Sequence, residues 1–189
     1  MRDVLLASAS PRRRELLAGL GLNVVAHAAD IDETVAEGET SEDLVARLAA
    51  TKAAFVAARK PGELVIAADT VVVIDGAITN KPADAAENRS FLERLSGRTH
   101  EVFTGHALRL GGRSDDVVVR TLVEFRPLEE EEIENYVSTG EGLDKAGGYA
   151  IQGRGAALIR RIEGCYSNVV GLSLPTVVES ARRLGVRLV

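Results

Sequence analysis

VLLASASPRRRELLAGL (residues 4–20) changes its hydrophobic rhythm in the middle. Val4, Leu5, Leu6 and Ala7 form a continuous apolar run of strand length. Ser10 is a good helix N-cap, Pro11 suits the first helical position, and Leu16, Leu17 and Leu20 supply an apolar stripe. A strand that turns into a helix this quickly opens an α/β unit. Arg12, Arg13 and Arg14 then sit at the helix end that already carries partial positive charge. An anion would relieve that crowding: backbone N–H groups, the hydroxyls of Ser8 and Ser10, and guanidinium groups can converge on phosphate oxygens. A solvated basic turn is the competing reading of this segment taken alone.

The alternation continues outward. Leu22–His27 reads as a second strand leading into an acidic loop with Asp30, Asp32 and Glu33. Thr40 and Ser41 offer N-caps for a helix to about Arg59, closed by Pro61-Gly62. Leu64–Ile74 reads as a buried strand interrupted by Asp69-Thr70, and Asp75-Gly76 signals a tight turn. Asp84 with Glu87 starts another helix to about Leu95. Strands are expected near Glu101–Leu110 and Val117–Phe125, separated by Gly111-Gly112. An acid-rich helix follows from Glu129, read as a solvated face. A Gly-rich loop (Gly140–Gly155), a strand (Ala156–Ile162) and a last helix (about Leu174–Leu184) complete the pattern.

Composition narrows the function classes. With 189 residues, 46% hydrophobic and 27% charged, the chain suits one domain of ordinary globular type. A net charge of −5 argues against general affinity for a nucleic-acid backbone, so a phosphate ligand calls for a local cationic pocket. The absence of Trp and of an aromatic series disfavours a single-strand-binding surface. No apolar run approaches the ~20 residues of a membrane span, and no signal-peptide layout is present. The single cysteine, Cys165, is compatible with a reducing compartment, and a cytoplasmic protein is expected. His27, His100 and His106 lack metal-ligand spacing.

Three further places carry chemistry. Asp69 puts a carboxylate into an otherwise apolar strand, which implies a partner, a cation, a catalytic use, or merely a bulge or strand end. A hairpin return after Asp75-Gly76 would bring Lys81 towards Asp69, where it could neutralise a phosphoryl group; an exposed loop lysine is the alternative. Lys52, on the long helix, reads by default as a snorkelling surface residue. In LDKAGGYAIQG (residues 143–153), Gly147-Gly148 permits close approach of backbone to a ligand, and Tyr149, Gln152 and Lys145 offer stacking, amide and cationic contacts. A plain surface loop is the competing reading.

Taken in series, LASASPRRRELL, the IDE of Ile31–Glu33, Lys52, AADTVV at Ala67–Val72, Lys81-Pro82, LDKAGGYAIQG and NVVGL at Asn168–Leu172 resemble the Maf family of nucleoside triphosphate pyrophosphatases. The matches run in family order across nearly the whole chain. The resemblance implies a single α/β domain over residues 1–189, with two lobes around a mixed twisted sheet, flanking helices and a deep cleft. It also implies metal-dependent hydrolysis of a nucleoside triphosphate to monophosphate and pyrophosphate. Asp69 corresponds to the proton acceptor. Ser8, Arg13, Lys52 and Lys81 are the expected phosphate-binding set, and Glu33 with Asp69 the expected ligands of Mg²⁺ or Mn²⁺. Arg12, Thr70 and Gln152 match the positions that bear on base choice and look like the branch acting on dTTP and UTP, whose role would include clearing modified pyrimidine nucleotides. Two alternatives remain: the same fold acting on another nucleotide such as methylated GTP, and a non-catalytic nucleotide-binding regulator of cell division. A nucleoside triphosphate is the expected partner, a homodimer a reasonable default, and neither nucleic acid nor membrane is expected. Ser173 and Asn80 depart from the common family pattern, where proline and glycine stand.

Overall fold

The computed structural model describes residues 3–189. In chain order the elements are β1 (Asp3–Leu6), α1 (Pro11–Ala18), β2 (Asn23–Ala26), α2 (Ser41–Ala57), β3 (Val65–Ile74), β4 (Ala77–Thr79), α3 (Ala85–Leu95), β5 (Thr99–Leu110), β6 (Arg113–Phe125) and α4 (Glu130–Ser138). Two 3-10 segments (Ala146–Gly148 and Gly153–Leu158), β7 (Ile159–Glu163), α5 (Tyr166–Val170) and α6 (Leu174–Arg183) follow. The strands form one sheet in the order β2-β1-β3-β5-β6-β7, with β4 paired to β3. It is mixed: β1 runs parallel to β2 and β3, while β4 is antiparallel to β3 and β7 to β6. The expected α/β class with flanking helices is therefore present. No helix among the described residues is long and apolar enough to cross a membrane.

Two compact units make up the chain. The first comprises residues 1–69, 104–119 and 171–189. Here the period-2 alternation of the strands sorts side chains onto two faces. Val4 and Leu6 of β1 join Leu64, Ile66 and Ala68 in a core shared with Leu17 of α1 and with Val177 and Ala181 of α6. Leu5 and Ala7 join Val65, Ala67 and Ala107 beneath α2, which contributes Ala49, Ala53 and Val56. That second face is built from small side chains, and α2 lies very close to it. A Cβ on Gly105 of β5 would stand 2.1 Å from the Val45 carbonyl oxygen and 2.9 Å from the Ala46 nitrogen.

The second unit comprises residues 70–103 and 120–170. Its core gathers Val72 and Ile74 of β3, Leu92 and Leu95 of α3, Val123 and Phe125 of β6, and Ile133 and Tyr136 of α4. His100, Phe125 and Tyr149 pack edge-to-face, with ring centroids 4.8–5.3 Å apart, and His100 Nε2 meets the Tyr149 hydroxyl at 2.7 Å.

Several expectations need correction. Asp69-Thr70 does not end the strand, because β3 runs through both residues to Ile74. The strand expected from Ala156 begins only at Ile159; the preceding residues form the 3-10 segment, with Gly153 at φ +65°. The acidic face of α4 is not simply solvated. Arg89 of α3 reaches Glu130 at 2.5 Å and Glu134 at 2.8 Å, and Arg126 forks onto both oxygens of Glu132. Helix α5 was not expected at all.

Two outcomes follow from this packing. Gly105→Ala should destabilise the protein by about 3 kcal/mol in urea denaturation, because backbone on both sides must move. Gly112→Ala, whose added Cβ meets nothing within 4 Å, should be nearly neutral, and equal stabilities would contradict the close seam. Burial lowers the pKa of His100 and of His106 from 6.5 to about 4. As pH falls through 6.5 the unfolded chain takes up protons that the folded chain refuses. Stability should therefore decline between pH 6.5 and 4, by on the order of 3 kcal/mol per ring, and then lose no more from this source. Glu39 and Glu132, whose arginine partners hold them at about 2, add their losses only below pH 4.5. Denaturation midpoints that do not change from pH 7 to pH 4.5 would refute the assignment.

Candidate active site

The first unit holds most of the chemistry-bearing residues. Ser10 caps α1 as expected, its Oγ accepting the Arg13 N–H at 3.4 Å. The Arg13 side chain turns back onto the loop that precedes the helix. One guanidinium nitrogen donates to Ser8 Oγ at 3.2 Å, and Nε donates to the Gly171 carbonyl at 2.8 Å. The Ser10 N–H also donates to Ser8 Oγ, at 3.2 Å. With its oxygen accepting two hydrogen bonds, Ser8 keeps its own O–H to offer a ligand. Burial lowers the Arg13 pKa and neighbouring Arg12 acts the same way, while Asp69 and Glu33 oppose them; the guanidinium stays charged.

Behind Arg13 stands a residue whose role was not legible in the sequence. His106, buried in β5, accepts the Ser173 N–H at Nε2 (2.8 Å), and its Nδ1 lies 3.3 Å from the Val117 carbonyl. One nitrogen accepts and the other donates, so these partners specify the neutral Nδ1–H tautomer. The ring thus fastens the Gly171–Ser173 turn whose first carbonyl holds Arg13. Strand alternation could have marked His106 as inward-facing, but nothing in the sequence names its partner.

The face arithmetic of β3 explains the second cluster. Val65 and Ala67 point towards α2, so Asp69, two residues on, points the same way. On α2 the buried stripe is Val45, Ala49, Lys52, Ala53 and Val56. Lys52 is consequently not a surface residue: it is only 8% exposed, on the buried stripe with Ala49 and Ala53, and its ammonium meets two carboxylates. Nζ lies 2.6 Å from Asp69 Oδ1 and 2.6 Å from Glu33 Oε1. Asp69 is half-buried and Glu33 exposed. Lys52, Asp69 and Glu33 are thereby brought together, with Arg13 close enough to feel both carboxylates.

Thr70, Lys81 and Gln152 belong to the second unit. Thr70 is the next residue of β3 after Asp69 and is half-buried. The expected hairpin exists: Ile74, Val73 and Val72 pair with Ala77, Ile78 and Thr79, and exposed Lys81 follows two residues past the last pair. Gln152 is exposed and immediately precedes the second 3-10 segment. Arg12 lies half-buried in the first turn of α1.

The residues expected to hold a metal pass a test of donor type. Glu33 and Asp69 present hard carboxylate oxygens that already converge on one positive charge, the Lys52 ammonium, which suits Mg²⁺ or Mn²⁺. Among the described residues no group of three or more His, Cys, Asp or Glu side chains is placed to hold a metal ion. A hard ion at this pair would thus draw its remaining ligands from phosphate and water.

Comparison with known proteins identifies the family. A protein of Myxococcus xanthus (strain DK1622) named dTTP/UTP pyrophosphatase is 52% identical over 98% of this chain and 94% of its own length. One of the same name from Symbiobacterium thermophilum is 48% identical over 98% of this chain and 95% of its own. Among solved structures, a HAM1 protein from Coxiella burnetii aligns with a TM-score of 0.48 at 20% identity, covering 66% of this chain and 73% of that one. The model of the family described as Maf-like protein matches residues 3–184, and the chain belongs to the Maf family.

Proposed function

We propose that this chain hydrolyses dTTP and UTP to the nucleoside monophosphate and pyrophosphate. The observation that carries the reading is the junction of Lys52 with Asp69 and Glu33, in a chain 52% and 48% identical to two full-length relatives named dTTP/UTP pyrophosphatase. Ser8, Arg13, Lys52 and Lys81 are assigned to the triphosphate. Ser8 offers its hydroxyl hydrogen, Arg13 a charge pinned by Gly171 and Ser8, and Lys52 a charge held at the carboxylates.

Asp69 is assigned as the proton acceptor. Lys52 occupies Oδ1, and Oδ2 has no protein hydrogen-bond partner among the described residues, so it can face a water. As the water oxygen bonds to the α-phosphorus, its proton passes to Asp69. The bond from that phosphorus to the α–β bridging oxygen breaks, and pyrophosphate leaves with the electron pair. Glu33 and Asp69 are the residues that would hold a divalent Mg²⁺ or Mn²⁺, which supplies charge neutralisation at the phosphates when bound. Arg12, Thr70 and Gln152 are assigned to base choice. A primary amide can accept the N3–H of a thymine or uracil ring and donate to its carbonyl.

The test is pyrophosphate release from dTTP, UTP, CTP, ATP, GTP and methylated GTP, with Mg²⁺ or Mn²⁺ and after chelation. Release is expected from dTTP and UTP, lost with chelator and reduced about 10²- to 10⁴-fold by Asp69→Asn. Hydrolysis only of another base would overturn the specificity residues. Binding without turnover across the panel would favour a nucleotide-sensing regulator.

A further inference from the structure

Gln152 occupies the N-cap position of the 3-10 segment Gly153–Leu158, yet its side chain makes no capping hydrogen bond. An N-cap side chain ordinarily satisfies the first free N–H groups itself. Here another residue does so. Glu141, just beyond α4, accepts the Arg154 N–H at Oε1 (3.1 Å) and the Gly155 N–H at Oε2 (2.9 Å). The carboxylate lies against bare backbone at Gly153, where a Cβ would come within 2.2 Å of Oε1.

The stretch on the other side of Gln152 is held as well. The Ala150 N–H donates to the Tyr136 hydroxyl at 3.0 Å. Glu141 is itself fixed: its N–H donates to Thr139 Oγ1 at 3.1 Å and its carbonyl accepts from Lys145 Nζ at 2.5 Å. Burial acts to raise the Glu141 pKa, but the Gly155 and Arg154 N–H groups, the nearby Tyr136 hydroxyl and the Lys145 charge outweigh it and keep the group ionised. Glu141 after the glutamine and Tyr136 before it therefore hold the backbone on both sides of an exposed residue that spends none of its own amide on capping the turn.

We propose that Glu141 is a positioning residue for base selection: by capping the Gly153–Leu158 turn in place of Gln152, it leaves the Gln152 amide free and holds it in one place for the pyrimidine edge. This rests on the assignment of Gln152 to the base. Glu141 touches no substrate in this account. Its carboxylate substitutes for the hydrogen bonds that would otherwise draw the glutamine amide inward, and the expected signature is selectivity lost ahead of turnover.

The experiment compares kcat and KM for dTTP, CTP and ATP in wild type, Gln152→Ala, Glu141→Gln and the double variant. Glu141→Gln exchanges one carboxylate oxygen for an NH2 group that faces an N–H, so the bidentate cap fails. The kcat/KM preference for dTTP over CTP and ATP should drop at least tenfold, with KM rising by more than kcat falls. In the double variant the preference should be no lower than in Gln152→Ala alone, because both changes remove the same contact. A wild type without preference for dTTP or UTP would refute the reading of Gln152 itself. Preference lost in Gln152→Ala but retained in Glu141→Gln would overturn the role of Glu141 alone. So would losses that multiply in the double variant, which would mark a general structural defect. Should Glu141→Gln fail to fold, Tyr136→Phe, which removes only the hydroxyl that accepts Ala150, carries the same test with a smaller expected loss.

Discussion

The contact between α2 and the sheet beneath it governs the chemistry of the first unit. Ala49 and Ala53 of the helix meet Ala7, just past β1, with Ala67 of β3 and Ala107 of β5, and Gly105 admits the helix backbone itself. Small surfaces bury less apolar area than leucines would, so this seam is not where the most hydrophobic stabilisation lies. What it provides is proximity. A helix seated this low brings a lysine stem down to strand level, and the ammonium meets a carboxylate that strand parity has turned towards it. Isolated, either charge would be expensive at that depth; together, with exposed Glu33 as the third member, they form a compensated group.

In the second unit the same problem of holding a polar group still is solved by hydrogen bonds to backbone. Asn88, fully buried in α3, donates to the Gly148 carbonyl at 2.6 Å, and the Gly147 N–H donates to the Asn80 carbonyl at 3.1 Å. Glu141 and Tyr136 then hold residues 150 to 155. A segment with this much glycine would be costly to order in isolation. Each bond is made by a side chain or carbonyl far away in sequence, so the loop acquires its shape from the elements around it.

That distinction explains which parts were readable in advance. Ser10 and Pro11 announce α1 because capping is chemistry between neighbours in sequence, and the Asp84–Glu87 spacing announces α3 for the same reason. Asp69 stood out because a carboxylate in an apolar run has to be accounted for. By residue type alone Lys52 reads as a surface lysine; helical periodicity places it on the stripe with Ala49 and Val56, but only the tertiary partner decides whether a lysine there is buried. The start of β7 was missed because Ala156–Leu158 is apolar enough for a strand, while the carboxylate that fixes it as a 3-10 turn lies thirteen residues before Arg154. His106 illustrates the limit, since its donor and acceptor are both backbone groups and leave no trace in side-chain identity.

Every group that holds Gln152 in place comes from α3, α4 and the loops that follow α4, and none is shared with the contacts of Lys52. The two can therefore drift independently over evolutionary time. Changes at residues 136, 139, 141 or 145 would re-aim the glutamine while the lysine and its carboxylates stayed as they were; under the roles proposed for them, a lineage could try new bases without relearning how to cut.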